Sequence, residues 1–220
     1  MVIDSAGIHA PGGSPEVFDP EERSLLAACR REDPEALRRM VDTQYEPLYR
    51  FLWRLTSSRE TAAELTQEAF IRALERLDSF DGRARFSTWL HAIALNLWRD
   101  SRRRQARQIE AVEAQARTAA VAIDSEQEAL ARLERHEVRR AVERLPEAQR
   151  VAILLFYYQG MSYQEIARIC DCPVGTVGSW IHHGVHALRQ MLVEEGVLGG
   201  RCASKGRLLW HSSCDAKEPM

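Results

Sequence analysis

Lysine is almost missing from this 220-residue chain: of 30 basic residues only Lys205 and Lys217 are lysine. The rest are arginine, whose planar fork contacts phosphate and guanine in bidentate fashion. A biased genome gives the same excess. No apolar run approaches the ~18 residues of a membrane span, so no membrane insertion is expected. The longest, 151–158, reads as a core helix. The N-terminus lacks a basic start followed by an apolar stretch, so no signal peptide is expected. Cysteines number five, an odd count, and Cys29, Cys170 and Cys172 fall inside helical patterns. That argues against a secreted disulfide framework and for a reducing cytoplasm. Runs of alternating β-branched residues are absent, and the one Asp-Gly pair, Asp81-Gly82, lies between helical segments. An all-α chain follows. No nucleophile–base set, glycine-rich phosphate loop or carboxylate pair stands out, so neither an enzyme nor a cofactor is expected.

What is present fits a folded protein of one or two domains: 45% hydrophobic and 28% charged residues. The net charge of −2 argues against a nucleic-acid binder only until it is resolved along the chain. Residues 83–108 carry seven arginines against Asp100 alone, a local charge of +6. The flanks are acidic, −5 over residues 1–35 and −4 over residues 109–131. A basic block between acidic ones points to a polyanionic partner.

Residues 1–20, rich in glycine and proline, read as a disordered leader. A first helix is expected near 21–31. Asp33-Pro34 starts a second, Asp as N-cap and Pro at the first helical position, with Pro47 as a potential kink. A third spans roughly 60–77, and 78–85 is a loop. A fourth runs from Ser87 to about Gln105, with Phe86, Leu90, Ile93 and Leu97 as its apolar stripe. These make a first domain, 21–105. Residues 106–131 read as a linker. The second domain, 132–192, holds one helix over 132–144 and another from Pro146 to Gly160. A capping box follows at Ser162-x-x-Glu165, then a turn at Asp171-Cys172-Pro173. A longer helix carries Val177, Ile181, Val185, Leu188 and Leu192. A short capped helix, a turn and a longer helix make a helix-turn-helix. Residues 193–220 read as a cysteine-containing tail.

On the fourth helix the face opposite the stripe carries Thr88, Asn96, Arg99 and Arg103. A neighbouring row carries Ser87, His91, Trp98 and Arg102. Arginine reaches phosphates, asparagine reaches base edges, and an exposed Trp98 offers a stacking plane. The preceding loop interleaves Arg83, Arg85, Phe86, Ser87, Thr88 and Trp89, a mix suited to flipped, unstacked bases. The same residues also make a solvated arginine face with Phe86 and Trp89 in the core.

These residues carry a resemblance. Glu64-Leu65-Thr66-Gln67-Glu68-Ala69-Phe70, Ser79-Phe80-Asp81, Phe86-Ser87-Thr88-Trp89-Leu90 and Ile93-Ala94-x-Asn96 resemble the second conserved region of sigma-70-type transcription initiation factors. Leu145-Pro146, Ser162 to Ala167 and Cys172 to Val177 resemble the fourth. Having only these two regions is similar to the extracytoplasmic-function (ECF) group, and the resemblance covers about residues 34–192.

The resemblance implies promoter-specific initiation with RNA polymerase core, through its β′ clamp and β flap. The other implied partners are promoter DNA and an anti-sigma protein. Glu64, Gln67, Glu68, Ile71 and Glu75 then fall on the core-binding helix. Arg83, Arg85, Phe86, Ser87, Thr88, Trp89, Asn96, Arg99, Arg102 and Arg103 fall where the −10 element is bound and melted. Thr176, Gly178, Ser179, His182 and His183 fall at the −35 element. The family usually places Arg or Lys around Gly178, Trp180, His183 and Val185. Here those positions carry none, so weak or altered −35 recognition is expected.

Three alternatives stay open. One is a helix-turn-helix regulator that acts without polymerase. Another is an interaction module whose DNA-reading helix has decayed. The third is a metal- or redox-responsive factor using Cys170, Cys172, His182, His186, Cys202, His211 and Cys214.

Overall fold

The computed structural model describes residues 20–113 and 137–194, and all its regular structure there is helical. The expected leader and nearly all of the expected tail, with Cys202, His211 and Cys214, lie outside the described residues, as do residues 114–131 of the expected linker and 132–136 of the expected second domain.

The first lobe contains α1 (Pro20–Arg30), α2 (Pro34–Thr56), α3 (Arg59–Glu75) and α4 (Phe86–Glu113). Asp33 caps α2 by accepting the amides of Glu35 and Ala36, and Pro34 fills the first helical position, where its missing N–H costs nothing. Pro47 lies within α2 without ending it. Ser57 stops that helix in the left-handed region, and Ser58 then caps α3 through the Thr61 amide. A single 3₁₀ turn, Leu77–Ser79, ends the α3 side of the loop. Leu48, Phe51, Leu52 and Leu90 are wholly buried where the helices meet, each contributing about 1.5–3 kcal/mol. Helix α4 runs on to Glu113, past the expected end near Gln105.

The second lobe holds a helical segment described over residues 137–143 (α5), α6 (Glu147–Ile153), α7 (Tyr163–Cys170) and α8 (Val174–Glu194). Helix α6 continues as a π-helical turn, Leu154–Tyr158, and Gly160 at φ +64° reverses the chain. The capping box at Ser162 and Glu165 is formed. Asp171 ends α7 in the left-handed region, and the Cys172 amide returns to the Ala167 carbonyl at 3.0 Å. Val177, Ile181, Val185, Leu188 and Leu192 are buried. The lobes touch along two seams: α7 packs on α4, and the π turn packs on α2.

Candidate functional site

The loop before α4 is held at both ends by α1. The Arg30 guanidinium donates to the Phe80 carbonyl at 2.5 Å and to the Leu77 carbonyl at 3.4 Å. At the other end the Phe86 amide, one of the orphan donors of the α4 N-terminus, donates to a Glu22 carboxylate oxygen at 2.8 Å. Between them Gly82 adopts φ +70°, and Asp81 accepts the Arg83 amide at 3.0 Å. Phe80, Phe86 and Trp89 form an aromatic cluster with ring centroids 5.0 to 6.0 Å apart. Arg83 and Arg85 are exposed, and Ser87 and Trp89 are half-buried. Phe86, expected among the −10 contacts, is buried and anchors the loop from beneath.

Along α4, Asn96, Arg102 and Arg103 are exposed and Arg99 is half-buried. Arg103 pairs with Asp100 at 3.5 Å. An open cleft of about 500 Å³ is lined by Arg99, Arg102, Arg103, Ala106 and Glu147. Trp98 does not offer the expected stacking plane. It is only 3% exposed, and the guanidinium groups of Arg102 and Arg150 lie 5.1 and 5.6 Å from its ring centroid. Thr88 is covered as well: it is 2% exposed and donates to Glu165 of the second lobe at 3.3 Å.

His91 is sealed in beside them. Its Nδ1 lies 2.8 Å from the Ser87 carbonyl and its Nε2 has no hydrogen-bond partner. Burial holds its pKa down to about 4, against the Ser87 bond and the nearby Glu165 charge, which both raise it. The ring is therefore neutral at pH 7, with Nδ1 carrying the proton it donates to Ser87.

Glu64, Gln67, Ile71 and Glu75 form an exposed face of α3. Glu68 is half-buried and pairs with Arg72 at 2.8 Å. Ile71 is 52% exposed and the neighbouring Leu74 38%, an apolar patch within an acidic surround.

On α8, Ser179, His182, His183 and His186 are exposed, and Thr176 and Gly178 are half-buried. Ser179 donates to the Gly175 carbonyl at 3.2 Å. Among the described residues no three His, Cys, Asp or Glu side chains gather as a metal site. Burial pushes the Cys170 thiol up to about 11 and raises that of Cys172, so both are protonated at neutral pH.

The model of sigma-70 region 2 matches residues 40–108, and that of sigma-70 region 4 matches residues 135–188. The ECF RNA polymerase sigma factor SigW of Bacillus subtilis is 33% identical over 179 residues, spanning 77% of this chain and 96% of the relative. The chain belongs to the ECF group of sigma-70 factors. The ECF RNA polymerase sigma-E factor of Escherichia coli is 41% identical over 134 residues, 57% of this sigma factor and 70% of that one. A solved structure of the sigma factor RpoE in complex with the anti-sigma factor NepR from Bartonella quintana superposes with a TM-score of 0.61. It is 26% identical and covers 71% of this chain and 96% of that one. The fold is shared also by CnrH in complex with the cytosolic domain of CnrY, with a TM-score of 0.61 at 24% identity, covering 79% of this chain and 98% of that one. Sigma factors bind RNA polymerase core and direct it to promoters, so this chain is a transcription initiation factor. Among its described residues no helix is long and apolar enough to cross a membrane.

Four residues that position or cover the expected contacts were not singled out for it from the sequence: Glu22, Arg30, Glu147 and Arg150. None belongs to a spacing motif that includes the loop or α4. Glu165 was legible as half of a capping box, but not as the partner of Thr88.

Proposed function

We propose that this sigma factor opens the −10 element with the loop and outer face of α4, and meets the −35 element weakly with α8. The observation that carries the reading is the exposed arginine row of α4 continuing from a loop that α1 pins at both ends. Arg102 and Arg103 neutralise backbone phosphates, Asn96 reads a base edge, and Ser87 and Trp89 border the place where a non-template base is flipped out. Binding of the open strand offsets unpairing and unstacking, so no nucleotide hydrolysis is required and the factor performs no catalysis of its own. Phe86 supports the loop rather than touching DNA.

The α3 face of Glu64, Gln67, Ile71 and Glu75 takes the β′ clamp, with Ile71 as apolar anchor and the acids matching a basic partner. Thr176, Ser179, His182 and His183 face −35 DNA from α8. With no arginine among them, −10 contacts and polymerase carry most of the promoter affinity. An anti-sigma protein is the expected regulator, and the cytoplasm the expected compartment.

The deciding experiment is transcription in vitro with core polymerase and a library of promoter fragments. Specific initiation that requires this chain is expected. Operator binding without polymerase, and no initiation with it, would instead identify an ordinary helix-turn-helix regulator.

A further inference from the structure

Helix α1 precedes residues 40–108, the stretch that matches region 2, yet it holds the loop assigned to the −10 element. Arg30 donates to the Phe80 carbonyl at 2.5 Å and, through Nε, to the Leu77 carbonyl at 3.4 Å. Glu22 accepts the Phe86 amide at 2.8 Å. The two residues stand about two turns apart on one helix, a span of about 12 Å. Leu26 and Cys29 lie between them and are buried, with the Cys29 thiol 3.8 Å from Met40 Sδ of α2. Sliding or turning α1 would pull both apolar side chains out of the core. The helix is therefore a rigid spacer, and it sets the separation of the two ends of the loop.

Both ends bear on the place where a base is captured. Ser87 follows the amide that Glu22 holds, and its own carbonyl lies 2.8 Å from His91 Nδ1. The Trp89 ring lies 5.0 Å from that of Phe80, whose carbonyl Arg30 holds. Between these anchors Gly82 takes φ +70°, and Asp81 meets the Arg83 amide and guanidinium. Those contacts are local. They fix the shape of the turn, not its distance from α4.

We propose that Glu22 and Arg30 are positioning residues: through α1 they set the gap between the loop and the first turn of α4, and with it how sharply one unpaired base of the −10 element is told from the other three. The inference rests on the reading of that loop as the base-capturing part of the factor. Neither residue touches the base. A loop already fixed at both ends needs no further ordering when the base arrives. It also cannot shift to accommodate a wrong base. With one end released the loop adapts to any base, so discrimination falls while the phosphate contacts of α4 are kept.

The test uses holoenzyme, the full chain with core polymerase, and fluorescein-labelled fork-junction DNA built on a −10 element recovered from the promoter library. Four such DNAs differ only in the unpaired base. The readout is the ratio of the tightest to the weakest affinity. That ratio does not depend on the fraction of active protein, so a variant that is merely destabilised leaves it unchanged. Glu22→Ala and Arg30→Ala are each expected to lower it roughly 3–10-fold, the scale of one lost hydrogen bond, with the salt dependence of binding unaltered. Glu22→Gln, whose side-chain oxygen still accepts an amide, is expected to keep the wild-type ratio. The two alanine variants change net charge in opposite senses. An effect of charge alone therefore moves their affinities for all four DNAs in opposite directions and spares the ratio, which overturns the proposal. Uniform weakening in Arg30→Ala with a shallower salt dependence makes Arg30 a phosphate contact and also overturns it. So does an unchanged ratio in either alanine variant, or a ratio in Glu22→Gln as low as in Glu22→Ala. Four DNAs bound equally by wild-type holoenzyme strike the reading of the loop itself, whereas a discriminating wild type with unchanged variants strikes only the role of α1.

Discussion

Gly184 of α8 sits so close to Ile153 of α6 that a methyl group on it would lie 2.6 Å from Ile153 Cδ1 and 3.3 Å from Gln149 Cβ. The contact lets α8 pack its backbone closely against the Ile153 side chain of α6. Gly184→Ala is expected to destabilise the protein by about 1–3 kcal/mol through overpacking, in spite of alanine's better helix propensity. Urea denaturation checks it. Adding Ile153→Val, which removes the clashing Cδ1, should recover much of the loss. An increase in stability from Gly184→Ala alone would contradict this packing.

His91 predicts a dependence of stability on pH. Its folded pKa of about 4 lies below its ordinary value of 6.5, so the unfolded chain binds the extra proton between those limits. The contribution is fully present above pH 6.5 and is lost as pH falls toward 4, up to about 3 kcal/mol. His91→Leu keeps an apolar side chain beside Phe51, whose ring lies 5.3 Å from that of His91. It is expected to flatten the stability profile over that window, measured by thermal denaturation in a series of buffers. An unchanged slope would place the titrating group elsewhere.

Arg99→Ala with Arg103→Ala should weaken open-complex formation by holoenzyme across promoters of different sequence, because phosphate contacts are not sequence-specific. The dependence of log affinity on log salt should become shallower by about one for each phosphate that is no longer neutralised. Permanganate footprinting at several salt concentrations reads both effects. Unaltered melting would refute the assignment of α4.

Ile71→Ala removes an apolar side chain that is 52% exposed, so folding stability should change by no more than about 0.5 kcal/mol. Affinity for core polymerase should fall about tenfold if Ile71 anchors the interface. Competition against a second sigma factor for limiting core measures it. Wild-type competition by the variant would move the core-binding face off α3.

Much of the architecture was legible because local chemistry carried it. Asp33-Pro34 fixes where α2 begins, and Ser162 with Glu165 fixes where α7 begins, through amides that only nearby side chains can satisfy. The 3.6-residue period of Val177, Ile181, Val185, Leu188 and Leu192 made the buried side of α8 readable, since burial of one stripe is what holds a helix to its neighbours. Helix α4 was harder to read. Its rows of Thr88, His91 and Trp98 looked like an outer face, yet all three are buried, because other parts of the fold pack against more than one side of the helix. Phe86 likewise turned inward to the aromatic cluster, which requires the 77–80 turn to come back across α4.

By itself, then, the sequence determined the helices, their caps and the position of the basic block, because caps, periodicity and charge runs are set by residues within a few positions of one another. Only the tertiary structure decided that Glu22 caps α4 from 64 residues away, that Arg30 grips the loop, and that Glu147 lies on Arg99 and Arg102. Those pairings join segments with no common period or spacing. They depend on where packing places whole helices, so the net charge of the chain said nothing of which arginines meet an internal acid.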